Sequence, residues 1–132
     1  MDLDGERITV SVADSDTTIF ADPIHVRDIL DAVIRNAVEA GGADSVHVQI
    51  NSLSRQSDET VRIVVEDDGP GMSRSVLARA LDPFFSHRPA GRGRGLGLSR
   101  AYRLAEINHG RLRIDSVPDH GTKVTIELPA RP

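Results

Sequence analysis

The amino-acid sequence predicts a two-layer α/β sandwich folded as a single domain over residues 1–132. Three observations carry that expectation. Six short stretches read as strands, most of them with apolar side chains at every second position. Two longer stretches, 23–40 and 96–107, repeat their apolar residues at spacings of three and four, as an amphipathic helix does. The order is strand pair, helix, strand pair, short helix and glycine-rich loop, helix, strand pair. Neighbouring paired strands favour antiparallel ladders and argue against a doubly wound parallel sheet. The chain has 132 residues, enough for a real core, and with 3% aromatics that core must be built from Val, Ile, Leu and Ala.

From Glu6 to Val12, the residues Ile8, Val10 and Val12 fall on one side of a half-buried strand; 13–16 is a turn and 17–20 a short second strand. Asp22 and Pro23 start the first long helix, with a side-chain acceptor at the cap and proline at the first helical position. Val26, Leu30, Val33, Ile34, Ala37 and Val38 form its apolar stripe, and Gly41-Gly42 stops it. Val46, Val48 and Ile50 mark a third strand, and Val61, Ile63 and Val65 a fourth. Between them the polar segment 52–59 reads as a flexible connection, compatible with a hairpin. Residues 73–81 form a short amphipathic helix with Ser73 as its cap. The second long helix buries Leu98, Ala101, Tyr102 and Ala105 and ends with Gly110 at a left-handed cap. Leu112 and Ile114 mark the fifth strand, Val124, Ile126 and Leu128 the sixth, with a turn at 118–121.

Composition narrows the function. Net charge is −4, so there is no general electrostatic attraction for nucleic acid. Cysteine is absent, which excludes a disulfide framework and a Cys-based metal site. No apolar run approaches the roughly 20 residues of a membrane span, and from the acidic start MDLDGERITV no signal peptide is expected. A cytoplasmic domain, not inserted in a membrane and monomeric in isolation, is expected. It could still come from a larger, membrane-anchored parent.

The chemistry gathers around the stretch DPFFSHRPAGRGRGLGL, from Asp82 to Leu98. There Gly91, Gly93, Gly95 and Gly97 alternate among Arg88, Arg92 and Arg94. Such a segment offers no side chains to a core, but its N–H groups and positive charge suit a polyphosphate. It is not a P-loop, since no G-x-x-x-x-G-K-S/T occurs. It is not a Rossmann fingerprint either, because the last position of G-x-G-x-x-G falls on Leu96 or Leu98. The working reading is a mobile lid that leads into a helix; the alternatives are a plain flexible surface loop and an RGG-like RNA-binding segment, the latter disfavoured by the negative net charge. Upstream, the fourth strand ends in Asp67-Asp68-Gly69-Pro70-Gly71. This is either a plain turn or a carboxylate aimed at an exocyclic amine, with glycines that let a flat ring pack on the backbone. Asn36 borders the apolar stripe of the first helix, in line with Ile29, Ala32 and Ala40. It is either a polar residue at the core margin or an oxygen ligand for a hard cation such as Mg²⁺.

Five motifs in order then resemble one family, the catalytic ATP-binding domains of sensor histidine kinases. Asn36 in RNAVEA resembles their N box, Asp67–Gly71 the first glycine box, DPFFSHR the F box, Gly93–Leu98 the second glycine box, and Gly121-Thr122 the closing Gly-Thr motif. The wider superfamily is that of the Bergerat-fold ATPases. The resemblance implies a mixed, mostly antiparallel sheet covered on one face by about three helices, with ATP and Mg²⁺ between helices and lid. It assigns Asn36 to Mg²⁺ and phosphate, Asp67 to the adenine amine, and Gly69, Gly71 and Met72 to the ring pocket. It assigns Gly93, Gly95 and Gly97 to the phosphates, Leu96 and Leu98 to the end of the lid, Arg88 to the γ-phosphate, and Thr122 to adenine through water. The implied function is phosphoryl transfer from ATP to a histidine in two-component signalling.

Two departures qualify it. Ala32 stands four residues before Asn36, where many members have asparagine and the hydrolytic relatives a glutamate base. That disfavours self-sufficient hydrolysis. His25, His47, His87, His109 and His120 all lack the context of a phosphoacceptor histidine. The expected partner is therefore a separate dimerisation and phosphotransfer domain, in the same or another chain, and through it a response regulator. A serine kinase of the anti-sigma-factor type and a nucleotide-binding regulatory module without transfer activity are the alternatives.

Overall fold

The computed structural model describes residues 2–3, 6–7, 9–13, 17–41, 45–55, 58–82 and 97–132. A short hairpin pairs β1 (Asp2–Leu3) with β2 (Glu6–Arg7). The main sheet contains β3 (Thr9–Val12), β4 (His47–Arg55), β5 (Asp58–Asp67), β6 (Arg111–Ser116) and β7 (Thr122–Pro129), in the order β3-β4-β5-β7-β6. The β3–β4 pair is parallel and the other three are antiparallel. The helices are α1 (Pro23–Gly41), α2 (Arg74–Arg79) and α3 (Gly97–Ile107). The mixed sheet and three helices are the two-layer architecture expected from the sequence.

The register explains the core. On the face toward α1 and α3, Leu112, Ile126, Ile63, Ile50 and Val12 form one row across all five strands. Ile114, Val124, Val65, Val48 and Val10 form the next. Against these pack Ile29, Val33, Ile34 and Ala37 of α1 and Leu98, Ala101, Leu104 and Ala105 of α3. Burial of such branched aliphatic surface, at about 25 cal/mol per Å², is what holds the two layers together. The short α2 carries no buried residue. Among the described residues no helix is long and apolar enough to cross a membrane.

The helix starts at Asp22 and Ser73 follow the sequence, while of the expected stop at Gly41-Gly42, Gly41 is the last residue of α1 and Gly42 lies outside the described residues. The Asp22 Oδ1 accepts the Ile24 N–H at 2.8 Å, and the Ser73 hydroxyl accepts the Val76 N–H at 3.3 Å. At the end of α3 the left-handed residue is His109, with φ 63°, and not Gly110. The His109 N–H reaches the Glu106 carbonyl at 3.0 Å and the Gly110 N–H the Ala105 carbonyl at 2.8 Å, the paired bonds of a Schellman cap. Glycine is needed at 110 for a different reason: a Cβ there would strike the Glu127 carbonyl and come within 2.8 Å of Leu128.

Two further expectations change. Residues 17–20 are not a strand; they cross to the end of β7, where the Phe20 N–H meets the Pro129 carbonyl at 2.7 Å. Most of the supposed flexible connection 52–59 is strand, with pairing from Ser52↔Val61 out to Arg55↔Asp58. The long ladder overrides the polar composition of that stretch.

Candidate functional site

The apolar rows stop at one end of the sheet. The next row on the helix-facing side is Ser116, Thr122 and Asp67, directly paired across β6, β7 and β5. A polar row in phase with the core ends up at the rim, where it can be shielded from bulk water and still meet a ligand. Asp67 is 5% exposed and Thr122 7% exposed. The Asp67 Oδ1 accepts the Gly69 N–H at 2.8 Å, which fixes the carboxylate at the strand end.

Two turns frame this row and lock together. The Asp119 N–H donates to the Pro70 carbonyl at 2.7 Å, and the Met72 N–H to the Ser116 hydroxyl at 2.8 Å. Gly71 and Gly121 have φ +70° and +84°, values that disfavour any side chain. A Cβ at Gly71 would strike the Val117 carbonyl, and one at Gly121 the Asp67 carbonyl. The space at Gly71 is thus filled by the opposing turn, so this glycine is required by the interlocking itself. Met72 is buried beneath. A depression of about 270 Å³ lies across this end of the sheet, bordered by Asp67, Ser116 and Thr122 and by Glu66, Asp115 and Lys123 of the opposite face; Gly69, Gly71, Met72 and Asn36 do not line it.

Helix α1 joins the rim to the start of α3. A Cβ on Gly69 would lie 3.0 Å from the Ala40 carbonyl oxygen, and one on Gly97 would lie 3.9 Å from the Ala32 Cβ. Asn36 is midway between Ala32 and Ala40 on the same helical line and is half-buried. The helix therefore sets Asn36 between the turn at Asp67–Gly71 and the N-terminus of α3. Gly97 is the first residue of α3, and Leu98 anchors it in the core.

The structure thus brings together Asp67, Gly69, Gly71, Met72 and Thr122, with Asn36, Gly97 and Leu98 along the adjoining helices. Arg88, Gly93, Gly95 and Leu96, with the rest of the glycine lid, lie outside the described residues. Among the described residues no group of three or more His, Cys, Asp or Glu could hold a metal ion. That donor set does not suit an all-protein cage.

Sequence reasoning missed Ser116, whose hydroxyl contacts Met72, Gly121 and Thr122. A signal existed: Leu112, Ile114 and Ser116 share one face of β6, so the serine is a polar residue in a core phase. A larger depression, about 900 Å³, lies at the opposite end of the sheet beside Arg111, Glu127 and Arg131. Arg111 pairs with Glu127 there and Arg131 with Glu59.

Residues 21–132 match the family model described as histidine kinase-, DNA gyrase B-, and HSP90-like ATPase. The chain is similar to the signal transduction histidine-protein kinase AfsQ2 of Streptomyces coelicolor, 35% identical over 84% of this chain and 20% of that protein. It is also similar to the sensor histidine kinase component HK1 of Mycobacterium tuberculosis, 35% identical over 89% of this chain and 68% of that one. Among solved structures, full-length ShkA in complex with AMPPNP superposes with a TM-score of 0.75 at 28% identity, over 97% of this chain and 26% of ShkA. The chain spans about a fifth of the length of relatives such as AfsQ2.

Proposed function

The chain belongs to the histidine kinase-, DNA gyrase B- and HSP90-like ATPase family, and from that premise we propose that it is the catalytic ATP-binding domain of a sensor histidine kinase. The observation that carries this reading is the buried Asp67 carboxylate, held at the sheet rim by the Gly69 N–H. An ionised carboxylate only accepts hydrogen bonds, so it selects a base with an exocyclic amine, as adenine has. Thr122 beside it takes part through water, and Gly69, Gly71 and Met72 shape the floor of the ring pocket. The triphosphate then runs along α1 toward the N-terminus of α3, where the positive end of the helix dipole suits anions. Gly93, Gly95 and Gly97 supply further N–H groups, Leu96 and Leu98 tie the lid to α3, and Arg88 meets the γ-phosphate.

Asn36 offers the protein oxygen that would hold Mg²⁺. That cation, when bound, neutralises charge on the phosphates during transfer. Ala32 shapes the outcome. A methyl group faces the start of α3 at the place where a water-activating carboxylate would stand. Position and charge favour presenting the γ-phosphate to a nucleophile from elsewhere over hydrolysing it in place. The partner is a histidine on a dimerisation and phosphotransfer domain, and a response regulator follows it in the relay. The test is incubation of the domain with labelled ATP, Mg²⁺ and candidate acceptor domains. Label on a histidine is expected. Label appearing only on a serine acceptor, or none with any acceptor despite bound ATP, would refute the transfer reaction proposed.

A further inference from the structure

Ser116 belongs to none of the motifs that mark the nucleotide site, yet it sits at their junction. Its hydroxyl oxygen lies 2.8 Å from the Met72 nitrogen, 2.9 Å from the Gly121 carbonyl oxygen and 2.9 Å from the Thr122 hydroxyl oxygen. A serine hydroxyl has one hydrogen and two lone pairs. The Met72 N–H can only donate, so it takes a lone pair. The Gly121 carbonyl can only accept, so it takes the hydrogen. What remains for Thr122 is the second lone pair, and the Thr122 hydroxyl must donate to it. Thr122 thereby commits its hydrogen to Ser116, and its own lone pairs are what a ligand at the rim meets.

We propose that Ser116 is a positioning residue for purine discrimination: by accepting the Thr122 hydrogen, it makes Thr122 an acceptor beside the Asp67 carboxylate. Two acceptors, paired across adjacent strands, favour a base that carries an amine at its six-position, directly or through a water. They oppose a base with a carbonyl there, whose oxygen would face acceptors with no hydrogen between them. Ser116 also ties β6 to the glycine turn through Met72 and to the opposite turn through Gly121. The acceptor pair is therefore held in one orientation. This inference rests on the ATP reading of the rim and adds to it the residue that sets the polarity of the site.

The test measures Mg²⁺-dependent binding of ATP and of inosine triphosphate by calorimetry. The proteins are the wild type, Ser116→Ala, Ser116→Thr, Thr122→Val and the Ser116→Ala/Thr122→Val double variant. The wild type is expected to favour ATP by about tenfold or more. Losing one oriented hydrogen bond should narrow that preference about fivefold in Ser116→Ala, while Ser116→Thr keeps a hydroxyl and restores it. In the Thr122→Val background, Ser116→Ala should leave the ratio unchanged, because the residue through which it acts is gone. Should Ser116→Ala not fold, Ser116→Cys, with a thiol that is a weak acceptor, runs the same comparison. A serine with a purely structural role would weaken both nucleotides alike. An unaltered ratio in Ser116→Ala, or a wild type without preference, overturns the proposal. A folded wild type that binds neither nucleotide overturns the ATP reading beneath it.

Discussion

Gly121 is where the fold and the site share one atom-scale constraint, and replacing it by alanine tests both. Its φ of +84° lies in the left-handed region, where a side chain costs about 1–2 kcal/mol. The new Cβ would also land on the carbonyl oxygen of Asp67. That oxygen belongs to the backbone and has no rotamer through which to escape. Relief therefore requires β5 and β7 to part at the Asp67↔Thr122 pair, an overpacking cost of about 1–3 kcal/mol. The two together come to about 3 kcal/mol, and for a domain of this size that lowers the melting temperature by about 12 °C. Thermal unfolding followed by circular dichroism measures it. Gly121→Asn separates the causes, because asparagine tolerates the left-handed region but keeps the clash; its loss should be intermediate. A Gly121→Ala melting temperature within about 3 °C of wild type would refute the reasoning, since neither strain nor collision would then be real.

Asn108 should act on stability without touching the site. It accepts the Asp22 N–H at 2.9 Å and donates to the Leu104 carbonyl at 2.8 Å, tying the start of α1 to the end of α3. Asn108→Ala is expected to cost about 1–3 kcal/mol in urea unfolding, with ATP affinity within about twofold of wild type. Glu127 should make stability depend on pH. Burial pushes its carboxyl up, but hydrogen bonds and charge from Arg111 and Arg62 outweigh that and hold it below the ordinary value of 4.5. A folded-state value below the unfolded one means the stabilisation is full above pH 4.5 and is lost as pH falls through the lowered value. Glu127→Gln should flatten the acid limb of a stability–pH curve below pH 4.5 and leave the neutral limb parallel to wild type.

Much of this was legible in the sequence because chemistry and period coincided. Asp67 could be found because a carboxylate followed by two glycines closed an alternating strand. Asn36 stood out as an amide on an otherwise apolar helical line. What stayed hidden depended on partners distant in sequence. Nothing in the alternation of Val10 and Val12 encodes that β3 runs parallel to β4. The strand character of 52–55 comes from pairing with β5, not from its own polar residues. Glu127 is buried on the helix-free face of the sheet because Arg62 and Arg111 flank it from both neighbouring strands. His109 takes the left-handed cap because Gly110 is held one place on, against Glu127 and Leu128. Ser116 lay in phase with the core, but its meaning needed the turn that brings Met72 and Gly121 to it.

The central claim is that the Asp67 rim binds the base of ATP while Asn36 serves its Mg²⁺. Calorimetric titration of a non-hydrolysable ATP analogue, with and without Mg²⁺, into the wild type, Asp67→Asn and Asn36→Ala tests it most directly. The account predicts one Mg²⁺-dependent site in the wild type. Asp67→Asn should lose about tenfold or more in affinity, the value of a hydrogen bond to a charged group, with its fold intact. Asn36→Ala should lose the dependence on Mg²⁺. A folded wild type that releases no heat, or an Asp67→Asn variant that binds as tightly as the wild type, would contradict it.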